Sequence, residues 1–443
     1  MAAKHYYPQD LARLVLEQLR PHHNSGITEQ VLTALYEIMY FASMKTEESE
    51  PVQFTLTYID PENPDPSPPS RIVADRWSYI RFDHCVPLDV STLVKVAKAI
   101  DPSASSLAVH ANREGNLYIW GMIDQSIRFN YMIQRNQGDG QERPGEFQAT
   151  IAGIGNVSVY KGYTLIGSLN HDVLIRDYHD VLRSGPVHTV LSAYINNYIN
   201  RVKSTVTQKG YIQDNHWQEW LKEIWLGVLC RILLNVQRYQ HGGGLLINSF
   251  ESFENLNAKY QIHYSRLKRA LQTFAEKQII KNDIDDYIFK NFLERLYDEI
   301  PIQLYLDKLL HSLELDESLE EIAGCIRFVS SLSRVDGVVL LDPDLVVKGF
   351  GAEITIADDL REVFIAGDSL GTPQLLQKVD FNHFGTRHRS MMRYCFQHQD
   401  SIGFVISQDR DIRAMMAIDR KLVLWENIKV QYIEAYKKLD TAP

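Results

Sequence analysis

Two long apolar stripes, back to back in the middle of the chain, govern how it can be divided. In "PVHTVLSAYINNYINRV", Val187, Leu191, Tyr194, Ile195, Tyr198 and Val202 recur at the three- and four-residue spacing of one helix face. Pro186 stands in the first turn, where a missing N–H loses nothing. A second helix, "DNHWQEWLKEIWLGVLCRILLNVQRYQ", repeats the pattern with Asp214 as its cap. Such stripes suit burial against the helix's own domain, or else a connector or dimer helix. At 443 residues the chain exceeds one ordinary core, and a boundary is expected between the two helices, near "VTQKGYIQDN".

The two sides of that boundary read differently. Ahead of it, Val31, Leu35, Ile38 and Met39 mark a helix, and "PVQFTLTYID" alternates as a strand before the proline-rich loop "PENPDPSPPS". "RWSYIRFD" reads as a strand and "STLVKVAKAI" as a helix behind a Ser91 cap. "SLAVHANREGNLYIWGMI" reads as a hairpin, with further short strands in "GEFQATIAGIGNVSVYKGYTLIGSL". Residues 1–208 are therefore expected to form an α+β domain rich in antiparallel pairing. After the boundary, strand "GGGLLI" leads into a mostly helical stretch to about Ser330. Strands "GVVLL" and "VVKGFGAEI", a helix from "GTRHRS" and strand "IGFVIS" follow. That alternation predicts an α/β domain over 209–430, a mixed central sheet flanked by helices, with 431–443 as a tail.

Composition narrows the function classes. Hydrophobic residues at 45% and charged residues at 23% describe a soluble globular chain. Cys85, Cys230, Cys325 and Cys395 are widely separated, which suits a reducing compartment and excludes a zinc ribbon. The opening "MAAKHYYPQDLARL" lacks the apolar core of a signal peptide. "IWLGVLCRILLNV" is short and interrupted by Arg231, so no membrane span is expected. A net charge of -10 gives no footprint for nucleic acid. The expectation is a cytoplasmic protein.

Two signatures are hydrolase-like: "HGGG" at 241–244, as in an oxyanion loop, and "GDSLG" at 367–371, as in a nucleophile elbow around Ser369. Little chain remains after Ser369 for the rest of a hydrolase sheet and both triad partners. His383, His388 and His398 all crowd close to it in sequence. A turn is the simpler reading, with a serine esterase kept as an alternative.

A second constellation is chemically more specific. "GTRHRS", Gly385 to Ser390, puts Arg387, His388 and Arg389 at a helix start, where the macrodipole favours anions. A phosphate would relieve that mismatch through free first-turn N–H groups and guanidinium forks, with Thr386 and Ser390 adding hydroxyls. Asp336-Gly337, read alone a tight turn into a strand, offers a carboxylate for a divalent cation bridging phosphate oxygens.

The order Asp336-Gly337-Val338, a strand, Gly385 through Ser390 on a helix, and "VISQDRDI" with Ser407 and Gln408 resembles the DAC domain. This is the catalytic domain of the bacterial diadenylate cyclases, which include the DNA-integrity scanning protein and membrane-bound relatives. "GGGLLI" is similar to that domain's glycine-led first strand, and the resemblance covers roughly residues 225–430. It implies condensation of two ATP into cyclic di-AMP with release of pyrophosphate, in a homo-oligomer whose DAC domains face each other. By the same resemblance Asp336 binds Mg²⁺ or Mn²⁺, and Arg387, His388 and Arg389 act on the phosphates. Gly337, Val338, Gly385, Thr386, Ser390, Ser407 and Gln408 then bind the nucleotide.

Two departures stand out. Val338 replaces the alanine of the D-G-A pattern, and "REVFIAGDSLGTPQ", at 361–374, looks like an insertion. They motivate the alternative of a non-catalytic nucleotide sensor. "FASMKTEESEPVQF" and "LYIWGMID" give the N-terminal region a looser resemblance to the sensor domains found ahead of DAC domains, with an unknown ligand or protein partner.

Overall fold

The computed structural model describes residues 5–19, 27–47, 50–65, 77–102, 104–125, 144–162, 164–175, 178–210, 217–239, 241–250, 253–293, 300–358, 360–407 and 411–430. By contact the chain divides into two compact units, the first ending at Tyr178 and the second starting at His179.

The first unit opens with helices α1 (Pro8–Leu19) and α2 (Glu29–Ser43). Thr28 caps α2, its hydroxyl accepting from Val31 N–H at 3.3 Å, and Val31, Leu35 and Met39 are buried as their spacing predicts. A short ribbon, β1 (Thr46–Glu47) and β2 (Glu50–Pro51), follows. The main sheet takes β3 (Phe54–Tyr58), β4 (Ser78–Pro87), β5 (Ser105–Ala111), β6 (Leu117–Asp124), β7 (Phe147–Gly153), β8 (Asn156–Lys161), β9 (Thr164–Asn170) and β10 (Val173–Ile175). Their order is β10-β9-β8-β7-β3-β5-β6-β4. Only the β3–β5 pair is parallel among these described strands, so the expected antiparallel α+β character holds. Helix α3 (Val90–Ala97) starts earlier than the expected Ser91 cap. Asp89 caps it instead, its carboxylate accepting from Thr92 N–H at 2.8 Å.

The second unit opens with α4 (Gly185–Gln208) and α5 (Trp217–Arg238). Leu191, Tyr198 and Val202 of α4 share a core with Trp225 and Leu233 of α5. Tyr198 also donates its hydroxyl proton to the Leu271 carbonyl at 3.2 Å. The expected division after residue 208 thus differs from the compact units, since α4 packs wholly with the second. A stripe shows that a face is buried, not which domain buries it. Asp214, the expected cap of α5, lies outside the described residues.

Next come β11 (Gly243–Ile247), β12 (Leu256–Tyr264), α6 (Arg266–Ile288), α7 (Ile302–Leu332), β13 (Val338–Leu341), β14 (Val347–Ile354), β15 (Val363–Ala366), β16 (Leu376–Lys378), α8 (Thr386–Gln397), β17 (Ile402–Ile406), β18 (Ile412–Ile418) and β19 (Lys421–Trp425). One mixed sheet takes all of these strands in the order β12-β14-β13-β11-β17-β18-β19-β15-β16, with β11–β13 and β15–β19 parallel. Alternate residues of β11 face opposite sides of the sheet. Leu245 and Ile247 join the α4–α7 core, while Leu246 joins the core beneath α8. Residues 361–374 hold β15, which pairs with β19, so this segment widens the sheet.

The hydrolase signatures resolve into ordinary structure. Gly243 and Gly244 lie inside β11, paired with Ile406 and Val405, where no oxyanion loop can form. Around Ser369 the chain makes a turn: the Asp368 carboxylate accepts from Thr372 N–H at 2.9 Å, and Trp425 Nε1 donates to the Asp368 carbonyl at 2.9 Å. A 3₁₀ turn and β16 follow, not the helix an elbow requires. The Ser369 hydroxyl accepts from Ser184 at 2.8 Å. Neither signature therefore has the geometry of a serine esterase. Among the described residues, no helix is long and apolar enough to cross a membrane.

Candidate functional site

Helix α8 is held down by its far end and presents its start. Met391, Met392, Tyr394 and Cys395 are buried against the sheet. The helix sits close to β17 because residue 403 is glycine: a Cβ there would stand 2.5 Å from Met391 Cγ. Gly385 occupies the cap position with no side-chain hydrogen bond, so the first-turn N–H groups lack the usual capping acceptor.

That helix start meets the other half of the motif. Nη2 of Arg387 lies 3.9 Å from Oδ1 of Asp336, in the turn ahead of β13. Asp336 is 85% exposed, so the pair adds little to the fold; its significance is positional. Two segments far apart in sequence thus converge on one end of β13.

The residues after Asp336 do structural work. Gly337 has φ +118, and a Cβ there would stand 2.5 Å from the Gly351 carbonyl carbon and 2.8 Å from Ala352 N. Only glycine allows β13 to approach β14 this closely. Val338 is buried in the α8 core, beside Met391 over Gly244. Its larger side chain therefore fills core space between the sheet and α8. Gly385 is the reverse case: φ is -64, and a Cβ would meet nothing within 4 Å. Neither backbone geometry nor packing within the chain requires a glycine there.

His388 departs from the expectation of a third cation. Burial, then Arg413 and Arg387, push its pKa down to about 4, so it is neutral near pH 7. Its Nε2 lies 3.3 Å from Nη1 of Arg413; since a guanidinium only donates, Nε2 accepts and Nδ1 carries the proton. Arg413 is fixed in turn by Asp411 at 2.6 Å and Glu426 at 3.1 Å. Burial raises the Glu426 carboxyl above its ordinary value, with Arg413 opposing and Asp411 adding. Sequence reasoning missed Arg413, which reaches α8 only through the register that pairs Val405 with it across β17 and β18.

Arg389 has its Nε buried without a hydrogen-bond partner among the described residues. An orphaned guanidinium nitrogen one turn into an uncapped helix suits an anionic ligand. Thr386 is exposed and Ser390 half-buried on the same turn. Ser407 serves the scaffold: its hydroxyl accepts from Asp411 N–H at 3.1 Å. Gln408 lies outside the described residues. Among the described residues, no cluster of three or more His, Cys, Asp or Glu could hold a metal ion. Asp336 instead fits the mode in which Mg²⁺ is held by one or two carboxylates together with substrate phosphates.

Fold and site together define a class: a two-unit α+β and α/β protein with an exposed carboxylate–arginine pair beside an uncapped helix start. A family model described as probable sensor domain DACNV matches residues 25–124, within the first unit. No model of the DAC catalytic domain matches the chain. No curated protein matches it either.

Proposed function

We propose that the second unit is a diadenylate cyclase domain and that the first unit regulates it. The observation that carries this reading is the meeting of Asp336 and Arg387 beside the uncapped start of α8. The N-terminal similarity to a probable sensor domain supports it. ATP phosphates would sit on the first turn of α8, with Arg387 and Arg389 offsetting their charge and Thr386 and Ser390 donating hydroxyl protons. Asp336 would hold Mg²⁺ or Mn²⁺, which supplies charge neutralisation for phosphoryl chemistry. Neutral His388 acts as a positioning residue, carrying the order of the Arg413 network into the turn that bears both arginines.

With two copies face to face, the 3′-hydroxyl of one ATP attacks the α-phosphate of the other. A P–O bond forms and pyrophosphate leaves; the reciprocal step closes cyclic di-AMP. Such a protein works in the cytoplasm, where ATP is available. The alternative of a non-catalytic nucleotide sensor gains nothing from Val338, a core side chain, or from 361–374, part of the sheet.

The test is to incubate the purified chain with each NTP and Mg²⁺ or Mn²⁺, and to assay for cyclic dinucleotide by mass spectrometry. Cyclic di-AMP from ATP, lost in Asp336→Asn, is expected. ATP binding with no product under either metal would overturn the enzyme reading and leave the sensor.

A further inference from the structure

Helix α7 is amphipathic the wrong way round over its first half. Its buried residues all lie from Leu315 onward. Before that, Ile302, Tyr305, Leu306, Leu309, Leu310 and Leu313 share one helical face, each between 48 and 74% exposed. The face turned toward α6 is the polar one. Lys308 Nζ lies 2.7 Å from Asp285 Oδ1 of α6, and Lys277 Nζ of α6 lies 3.5 Å from Glu314. Tyr287 and Phe289, at the same end of this helical hairpin, are also more than half exposed.

Each of these side chains offers roughly 80–100 Å² at about half exposure, so the patch is on the order of 700 Å². The largest apolar patch on an ordinary monomer is about 300–600 Å². The six α7 side chains of this patch, paired with the same six of a second copy, would bury about 1,100 Å², above the ~1,000 Å² that a specific interface needs.

We propose that this face binds the same face of a second copy, α7 against α7, antiparallel about a two-fold axis between Asp307 and Lys308. The stripe is self-complementary under that operation. Ile302 meets Leu313, Tyr305 meets Leu310, and Leu306 meets Leu309, each reciprocally, as an isologous interface requires. A membrane surface is a poorer occupant. The exposed charges that follow the stripe, Asp316, Glu317 and Glu320, are acidic, whereas helices lying on anionic lipid carry lysine and arginine.

This contact is separate from the facing of two α8 starts, because the buried half of α7 and helix α8 pack on opposite faces of the sheet. It holds or fails independently of the cyclase reading. Where both contacts operate, each copy owns two isologous faces and assembly extends beyond a dimer.

Sedimentation of the full chain, with and without Leu306→Glu/Leu310→Glu, tests it. The wild type is expected as a dimer or larger, and the double variant at half that mass with an unchanged far-UV spectrum. In a Cys85→Ser background, Leu306→Cys mixed with Leu309→Cys should give an oxidised covalent dimer, and Leu306→Cys alone should not. A monomeric wild type, an unchanged mass in the double variant, or equal cross-linking of Leu306→Cys alone overturns the proposal.

Discussion

Gly337 and Gly385 both belong to the motif, yet the structure gives them opposite jobs, and substituting each by alanine separates them. At Gly337 the added Cβ meets backbone atoms of Gly351 and Ala352 at 2.5 and 2.8 Å, which no rotamer change can relieve. Holding a non-glycine residue at φ +118 costs roughly 1–3 kcal/mol. Forcing β13 and β14 apart adds a similar overpacking penalty of about 1–3 kcal/mol. Gly337→Ala should therefore lose on the order of 2–6 kcal/mol, a large part of the ~5–15 kcal/mol typical of a folded domain. Gly385→Ala meets open space at φ -64, and losing glycine at a helix cap should cost less than about 1 kcal/mol. Urea unfolding of the full chain, with hydrogen exchange on peptides covering β13 and β14, reads both effects. Nucleotide binding should fall in Gly385→Ala despite its intact fold. A Gly337→Ala chain as stable as wild type would refute the packing argument, and equal losses at both positions would refute the division of roles.

Val338→Ala should destabilise the second unit by roughly 1–3 kcal/mol through lost core packing, without raising nucleotide turnover; urea unfolding beside the cyclase assay checks this. His388 has a folded pKa of about 4 against 6.5 unfolded, so between those values the unfolded state binds the proton more readily. Its contribution is complete above about pH 6.5 and is lost as pH falls toward 4, with a slope below the one-proton limit of about 1.4 kcal/mol per pH unit. Thermal unfolding across that range should be flatter in His388→Gln than in wild type.

The elements that carry the site were legible because each shows a local signal. β11, β13, β14 and β17 are short apolar runs, and α8 starts at the glycine that precedes its polar first turn. β12 was equally legible and missed: "LNAKYQIHY" alternates strictly, but it sits inside a stretch dominated by helical periodicity. The unit boundary was not legible, since the stripe of α4 carries no mark of its partner. Nor was the neutrality of His388. Its neighbours in sequence are arginines, but the group that decides its protonation with burial is Arg413, delivered across the sheet. The outward apolar face of α7 reads in sequence like any buried stripe, and only the ion pairs with α6 reveal which side faces in.

The place of β11 in the sheet bears on how the protein comes into being. β11 is bonded on one side to β13 and on the other to β17, which follows far later in the chain. During synthesis its second edge stays open until residues past 400 have left the ribosome, and only then can α8 settle onto β17. The first unit, whose strands all precede Tyr178, can finish folding well before the second has a complete sheet. A chain stopped short of β17 would keep its N-terminal unit, lose the seat of α8, and expose an apolar strand edge prone to aggregation.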